Sequence, residues 1–289
     1  MTTILTLYHD AVKRLSAAEI MDPETEAVIL LRHILNCRRA DIFLNGQQTA
    51  SADVVASVDQ IITRRLTKEP LAYIIGNQEF YGRKFVVTPA VLIPRQETEL
   101  LIDKASLALR AMEDNKKIQI LDLGTGSGII AITLALEHRQ ISVLAVDRSI
   151  DALSVAKANA LFLGVSDRIL WLNSDWATTL GDCAQFDVLA ANPPYVAKCV
   201  QSTLQPELIA EPEMALFGGD DGRDEISRII SDSSRLLRPG GVLLMEIGYD
   251  QETFVTSAMR DTEAFDEVIV YRDYAGLPRL LNARRKEKQ

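Results

Sequence analysis

An asparagine, two prolines and an aromatic ring close the apolar run Phe186-Asp-Val-Leu-Ala-Ala-Asn192-Pro193-Pro194-Tyr195. Neither proline has a backbone N–H, and each fixes its own φ, so a strand over 186–191 stops at Asn192. The residues before each proline are confined to extended conformations, which holds the turn in one shape. The C-terminal end of a strand in an open α/β sheet is where ligands bind. There the Asn192 side-chain oxygen and the Pro193 carbonyl supply two acceptors, matched to the two N–H bonds of a planar –NH2 group. Tyr195 adds a flat face for the same group. Asn-Pro alone reads more plainly as a stopped strand, whereas the full tetrapeptide with a glycine-rich motif upstream favours chemistry.

That motif is Ile118-Gln-Ile-Leu-Asp122-Leu-Gly124-Thr125-Gly126-Ser127-Gly128-Ile-Ile-Ala-Ile, an apolar strand, a tight turn and an apolar helix. A dinucleotide fingerprint, G-x-G-x-x-G, would need glycine at position 129, which is isoleucine here. The spacing is instead G-x-G-x-G with Asp122 before it. A carboxylate beside a helix N-terminus suits a cationic ligand better than a pyrophosphate. The segment resembles the S-adenosylmethionine motif of class I methyltransferases, which implies cofactor contacts from Asp122 through Gly128.

The next strand ends in Asp147, placed to accept hydrogen bonds from ribose hydroxyls; the rival reading is a cap for the helix from Ile150. After the third strand comes Ser174-Asp175-Trp176, where the ring fits an adenine and Asp175 its exocyclic amine. Trp176 as plain core is equally open. Asn192 counts among the cofactor residues as well as the substrate ones. No histidine stands near the asparagine to act as a base.

These residues need a scaffold, and the chain alternates to supply it. Strands are expected at 118–123, 141–146, 168–173, 186–191, 241–247, 266–272 and 278–282. Helices fall near 127–138, 151–163, 223–237 and 251–260. Alternation of this kind means an α/β fold: a doubly wound, mostly parallel seven-stranded sheet with helices on both faces. The close spacing of the last two strands suggests that the final one inserts antiparallel. A helix from about Glu97 to Met112 precedes the sheet, and 113–117 is a polar loop.

Upstream, residues 3–68 read as helices. Asp22-Pro23-Glu24 is a cap, a proline at the first helical position and an acid in the first turn, and Asn45-Gly46 is a stop. From Pro70 the character turns β-branched and aromatic. Glu79-Phe-Tyr81, a turn through Gly82-Arg-Lys84 and Phe85-Val-Val87 make a β-hairpin. The division read from this is a helical docking domain (1–78), a hairpin and connector (79–95) and a methyltransferase domain (96–289). The residues from Arg284 onward read as a frayed tail.

At 289 residues and 47% hydrophobic, the chain can bury a main core and an accessory one. No run approaches the roughly 18 apolar residues of a membrane span. Charges at His9, Asp10, Lys13 and Arg14 interrupt the N-terminal stretch, so it does not read as a signal peptide. Cys37, Cys183 and Cys199 fit no metal-ligand spacing and read as reduced residues of a cytoplasmic protein. Net charge is −9, which argues against affinity built on phosphate neutralisation. Residues 1–85 hold 10 Lys/Arg and 10 Asp/Glu, and the remainder 21 against 30, so the deficit lies in the catalytic part. Arg38-Arg39 and Arg64-Arg65 with Lys68 form either a partner-facing patch or a solvated helix face.

Several segments together resemble the bacterial release-factor glutamine methyltransferases: Pro70-Leu-Ala-Tyr-Ile-Ile-Gly76, Glu79-Phe-Tyr-Gly82, Leu92-Ile-Pro-Arg95-Gln-Glu97-Thr98-Glu99 and Asn192-Pro-Pro-Tyr195. Glu211-Pro212, Gly218-Gly-Asp-Asp-Gly222 and Glu246-Ile-Gly248 continue the match. Asn192-Pro-Pro-Tyr195 alone is shared with DNA and RNA amino-methyltransferases, whereas the Pro-Arg segment and the hairpin are specific. Gln96 stands where that family often has proline. The resemblance implies methyl transfer from S-adenosylmethionine, leaving S-adenosylhomocysteine, to the glutamine side chain in the Gly-Gly-Gln loop of class I peptide chain release factors. Asn192, Pro193 and Tyr195 would be catalytic, with Pro194 completing the substrate turn, in a monomer needing no metal, membrane or nucleic acid. Methylation of an exocyclic amine on a nucleic-acid base is the alternative, and a nucleotide-binding domain without turnover is a second.

Overall fold

Each strand of the main sheet carries apolar residues on both sides of the pleat, so burial on both faces is forced and helices must cover them. Ile118, Ile120, Val188, Ala190, Val242 and Leu244 enter one core cluster, while Leu121, Leu123, Leu189, Ala191, Leu243 and Met245 enter the other. This computed structural model of the chain describes residues 1–112, 117–182 and 185–287. The 113–116 part of the expected loop, Cys183 and the last two residues of the tail lie outside the described residues.

The chain forms two compact units, Met1–Asn77 with Gln205–Ala210, and Gln78–Leu204 with the chain from Glu211 onward. The first is built on α1 (Ile4–Ala17), α2 (Pro23–Leu35), α3 (Arg39–Leu44), α4 (Ala52–Leu66) and α5 (Leu71–Ile75). Helical spacing puts Leu7, Ala11 and Leu15 of α1 against Ala27, Leu30 and Leu31 of α2 and Val58 and Ile62 of α4. Asp22 caps α2 through its bond from the Thr25 N–H, with Pro23 at the first helical position. Of these basic residues, Arg38, Arg64, Arg65 and Lys68 are engaged with partners inside the unit. Arg65 is 4% exposed; it donates to both Glu26 oxygens at 2.7 and 3.1 Å and to Glu207 at 3.0 Å. Arg64 pairs with Glu69, Arg38 with Asp41, and Lys68 Nζ reaches the Ala18 carbonyl. Gln205–Ala210 thus belongs with the helical unit, a membership that sequence order does not reveal.

The second unit begins at Gln78, inside the hairpin formed by β1 (Asn77–Phe80) and β2 (Arg83–Val86). Its turn is two residues, Tyr81 at φ +50° and Gly82 at φ +70°, shorter than the expected Gly82–Lys84. Two central residues of positive φ match the twist of the strands they join. Then follow α6 (Glu99–Ala111), β3 (Ile118–Leu123), α7 (Ile129–Glu137), β4 (Ile141–Asp147), α8 (Ile150–Phe162), β5 (Ile169–Asn173) and β6 (Phe186–Ala191). After the helix Asp224–Leu236 come β7 (Leu237–Glu246), the helix Glu252–Asp261, β8 (Phe265–Arg272) and β9 (Pro278–Arg285). Strand order is β5-β4-β3-β6-β7-β9-β8, with β9 antiparallel between β7 and β8. The fold class is the doubly wound one expected.

Two expectations at its edge are corrected. β7 begins at Leu237, so Pro239-Gly-Gly241 sits inside it as an irregularity between the Phe186–Leu237 and Val188–Val242 pairs. Arg284 and Arg285 are not frayed: they pair with Val242 and Phe265 in β9. Among the described residues no helix is long and apolar enough to cross a membrane.

Candidate active site

β3 and β6 are neighbours in the parallel sheet, so the turns that follow them emerge side by side at its C-terminal edge. Between them lies a cleft of about 930 Å³, partly open to solvent, within the second unit. Gly124 through Ser127, Asp147, Asp175, Trp176, Asn192 and Pro194 line it, joined by Arg95 and Glu225. Asp122, Gly128, Pro193 and Tyr195 are not among its lining residues.

Asp122 is fully buried beneath the glycine turn. Its Oδ2 accepts from Thr125 Oγ1 at 2.6 Å and the Ala131 N–H at 3.2 Å, while Oδ1 has no hydrogen-bond partner. Burial, with the nearby charge of Asp147 adding to it, pushes the Asp122 carboxyl up to about 7 against the pull of those two bonds. Gly124, at φ +74°, lets the backbone pass close under Trp176: a Cβ there would stand 3.1 Å from the ring. Gly128 serves packing instead, since its Cβ would lie 2.7 Å from Ile132 Cδ1 and 3.2 Å from Ala156.

Asp147 closes the neighbouring strand. Its Oδ2 accepts from the Gly126 N–H and its Oδ1 from the Ser149 N–H, both at 2.9 Å. Burial raises this carboxyl above its ordinary range against those bonds. The cap of α8 is Ser149, whose hydroxyl takes the Ala152 N–H, so the cap reading of Asp147 loses to a residue two positions on. Trp176 packs on the second core cluster and also lines the cleft, and it donates Nε1 to Glu225. Asp175 is paired with Arg228 at 2.6 Å.

The asparagine turn is braced from behind by residues to which sequence gave no role. Asn192 Nδ2 donates to Thr98 Oγ1 at 3.2 Å, and Thr98 donates to Glu246 Oε2 at 2.7 Å. Tyr195 Oη donates to Glu246 Oε1 at 3.0 Å. Thr98 is wholly buried and Glu246 is 1% exposed. Burial raises the Glu246 carboxyl, opposed by the two hydroxyls and by Arg279, and burial likewise raises the Tyr195 hydroxyl. Gly218 and Gly222 press on the turn so closely that a Cβ would lie 2.3 Å from the Pro194 and Tyr195 carbonyls, respectively. Gln251 ties the Tyr195 and Gly222 carbonyls together. On the opposite wall, the buried Glu211 takes the Ile93 N–H at 2.9 Å and pairs with Arg95. Asn159 binds the Ser127 carbonyl and both backbone groups of Val86, locking hairpin to glycine turn.

Two family models match the chain: one described as PrmC N-terminal domain over residues 6–76, and one described as Methyltransferase small domain over 98–223. A release factor glutamine methyltransferase from Nitratidesulfovibrio vulgaris is 40% identical over 285 residues, covering 98% of this chain and 95% of that protein. Another, from Koribacter versatilis, is 42% identical over 284 residues, covering 98% and 99%. The chain belongs to the release factor glutamine methyltransferases. Among solved structures, the hMettl16 catalytic domain in complex with the MAT2A 3'UTR hairpin 6 aligns over 85% of this chain and 86% of that one. Its TM-score is 0.56 at 16% identity, a likeness of fold.

Thr98, Glu246, Gly218 and Gly222 all fall in segments that carried the family resemblance. Their roles depend on contacts across 24 to 148 positions of chain, a relation no local pattern encodes.

Proposed function

We infer that this protein transfers a methyl group from S-adenosylmethionine to the side-chain amide nitrogen of a glutamine in peptide chain release factors, the one in their Gly-Gly-Gln motif. The observation that carries the reading is the orientation of Asn192. With Nδ2 donated to Thr98, Oδ1 is left as an acceptor at the cleft wall. Among the described residues no backbone N–H engages the Pro193 carbonyl. Two acceptors on a rigid turn fit the two N–H bonds of an amide –NH2 and no alkyl or hydroxyl group as well.

The donor set fits the co-substrate. Asp122, buried beneath the glycine turn with one oxygen unpartnered, sets negative charge under the wall that would face its cationic amino acid end; Asp147 suits its ribose, and Trp176 against Gly124 gives a flat wall for a base. When bound, S-adenosylmethionine supplies an electrophilic methyl on a sulfonium. The chain's residues orient the acceptor. An amide nitrogen is a poor nucleophile because its lone pair is delocalised into the carbonyl. Holding both N–H bonds in the plane of the two acceptors turns that lone pair out toward the methyl. The same acceptors stabilise the positive charge that develops on nitrogen, so orientation and electrostatics carry the step. Tyr195, its hydroxyl fixed on Glu246 and its ring packed on the second core cluster, holds the turn in place. The helical unit and hairpin dock the release factor, and the reaction belongs to translation termination in the bacterial cytoplasm.

Methylation of an exocyclic base amine would use the same turn, but the charge of −9 offers little to a polyanion. The deciding experiment is transfer of labelled methyl to purified bacterial release factor, with the Gly-Gly-Gln glutamine changed to alanine as control. Label on the first and none on the second is expected. Label on neither, with cofactor bound, refutes the assignment.

A further inference from the structure

We propose that Thr98 and Glu246 are positioning residues that set the polarity of the Asn192 amide, presenting its oxygen and not its nitrogen to the acceptor substrate; this rests on the methyl-transfer reading above. The geometry is one-way. Glu246 is a strand-end carboxylate whose two oxygens each accept a hydroxyl, one from Thr98 and one from Tyr195. Both Glu246 oxygens accept here, and a threonine hydroxyl has a single proton to give. Once that proton is committed to Glu246, Thr98 Oγ1 retains only lone pairs, so the group facing it must be a donor. Asn192 meets that demand with Nδ2, and its Oδ1 is turned away from Thr98.

The distinction matters because the two ends of an asparagine amide are nearly isosteric. Rotation by half a turn would place an N–H donor where an acceptor is needed, facing the N–H bonds of the substrate. Nothing in the prolines forbids it, since they fix backbone and leave χ2 of Asn192 open. Steric fit cannot choose between the two orientations, whereas hydrogen-bond polarity can. Three different elements supply the chain: the turn Gln96–Thr98 before α6, the end of β7, and the exit of β6. Thr98 and Glu246 are buried and reach the reaction only through Asn192 and Tyr195.

The test combines kinetics with a readout that needs no acceptor substrate. Thr98→Val removes the acceptor at nearly constant volume. Loss of about 10- to 100-fold in kcat is expected, the usual consequence of leaving one buried polar group unmatched, with release-factor KM and cofactor affinity changed less than about threefold. Thr98→Ser restores the hydroxyl and should recover most of the rate. Glu246→Gln should lower kcat in the wild-type background yet add less than about twofold to Thr98→Val, because both act through one relay. In the free protein, the Asn192 side-chain amide protons should exchange with solvent measurably more slowly in the wild type than in Thr98→Val.

Wild-type kcat in Thr98→Val, failure of Thr98→Ser to recover it, or multiplicative losses in the double variant would overturn the proposal. Equal amide exchange in wild type and Thr98→Val would overturn it whatever the substrate. Absence of methyl transfer to release factor by the wild type, with amide protection intact, would instead refute the substrate assignment and leave the relay standing.

Discussion

The two turns at the mouth of the sheet are each seated on a buried carboxylate, and those carboxylates differ in one respect. Asp122, under the glycine turn, has one oxygen held by Thr125 and Ala131 and one with no partner. Glu246, under the asparagine turn, has both oxygens filled by hydroxyls. A buried oxygen without a donor is costly for the ionised form, which is why Asp122 keeps its proton up to about 7. On the methyl-transfer reading proposed above, the first turn is the place for a cationic ligand and the second, already complete, is a fixed template, so that binding and orientation divide between neighbouring strands.

The hardest blow to this division would come from Asn192→Ala. The change should cost about 100- to 1,000-fold in kcat, the scale for losing one preorganised electrostatic contact, while calorimetry finds cofactor affinity nearly unaltered. A variant still transferring methyl at the wild-type rate would remove the template turn from the mechanism. Gly124→Ala should do the reverse. The strain of a side chain at φ +74° and its 3.1 Å approach to Trp176 should weaken cofactor binding by about tenfold, the order expected for 1–3 kcal/mol of strain. Titrations that find binding unchanged would separate the glycine turn from the cofactor.

Asp122 sharpens the contrast through pH. In the fold it holds its proton to about 7, whereas unfolded it releases it in the ordinary carboxylate range. The native state therefore binds the extra proton between these limits, and Asp122's contribution to stability falls as pH rises through that window. A Tm that declines from about pH 4 to 7, with the slope reduced in Asp122→Asn, is expected from thermal melts. A cationic ligand favours the ionised carboxylate. Binding near pH 7 should then release a proton, read from the dependence of calorimetric heat on buffer ionisation enthalpy, and Asp122→Asn should abolish that release. The smallest effect belongs to Glu225→Gln. Loosening the Trp176 Nε1 bond should weaken cofactor affinity only about two- to fivefold, as for a single charge-assisted hydrogen bond near the surface.

Much of this was legible in order along the chain. Alternating apolar segments dictated the sheet and its helices, the spacing of the last two strands the antiparallel insertion, and Asn192-Pro-Pro-Tyr195 the strand stop. Turn length at Tyr81–Gly82 is not legible there, because two consecutive positive-φ residues replace a longer loop and tyrosine does not advertise that conformation. Nor is the end of the chain: charged Arg284 and Arg285 look solvated, yet their backbones complete β9 and their guanidinium groups reach the Gly240 and Leu237 carbonyls.

Sequence determined what depends on neighbours in the chain: backbone restriction by proline and glycine, the period of burial, and the residue types at each turn. Tertiary structure alone decided which buried groups complete those turns. Thr98 and Asn192 are 94 positions apart, Thr98 and Glu246 148, and a hydrogen bond is felt only at contact. The polarity of the site's central amide was therefore settled by packing, where two strand ends and a helical turn converge.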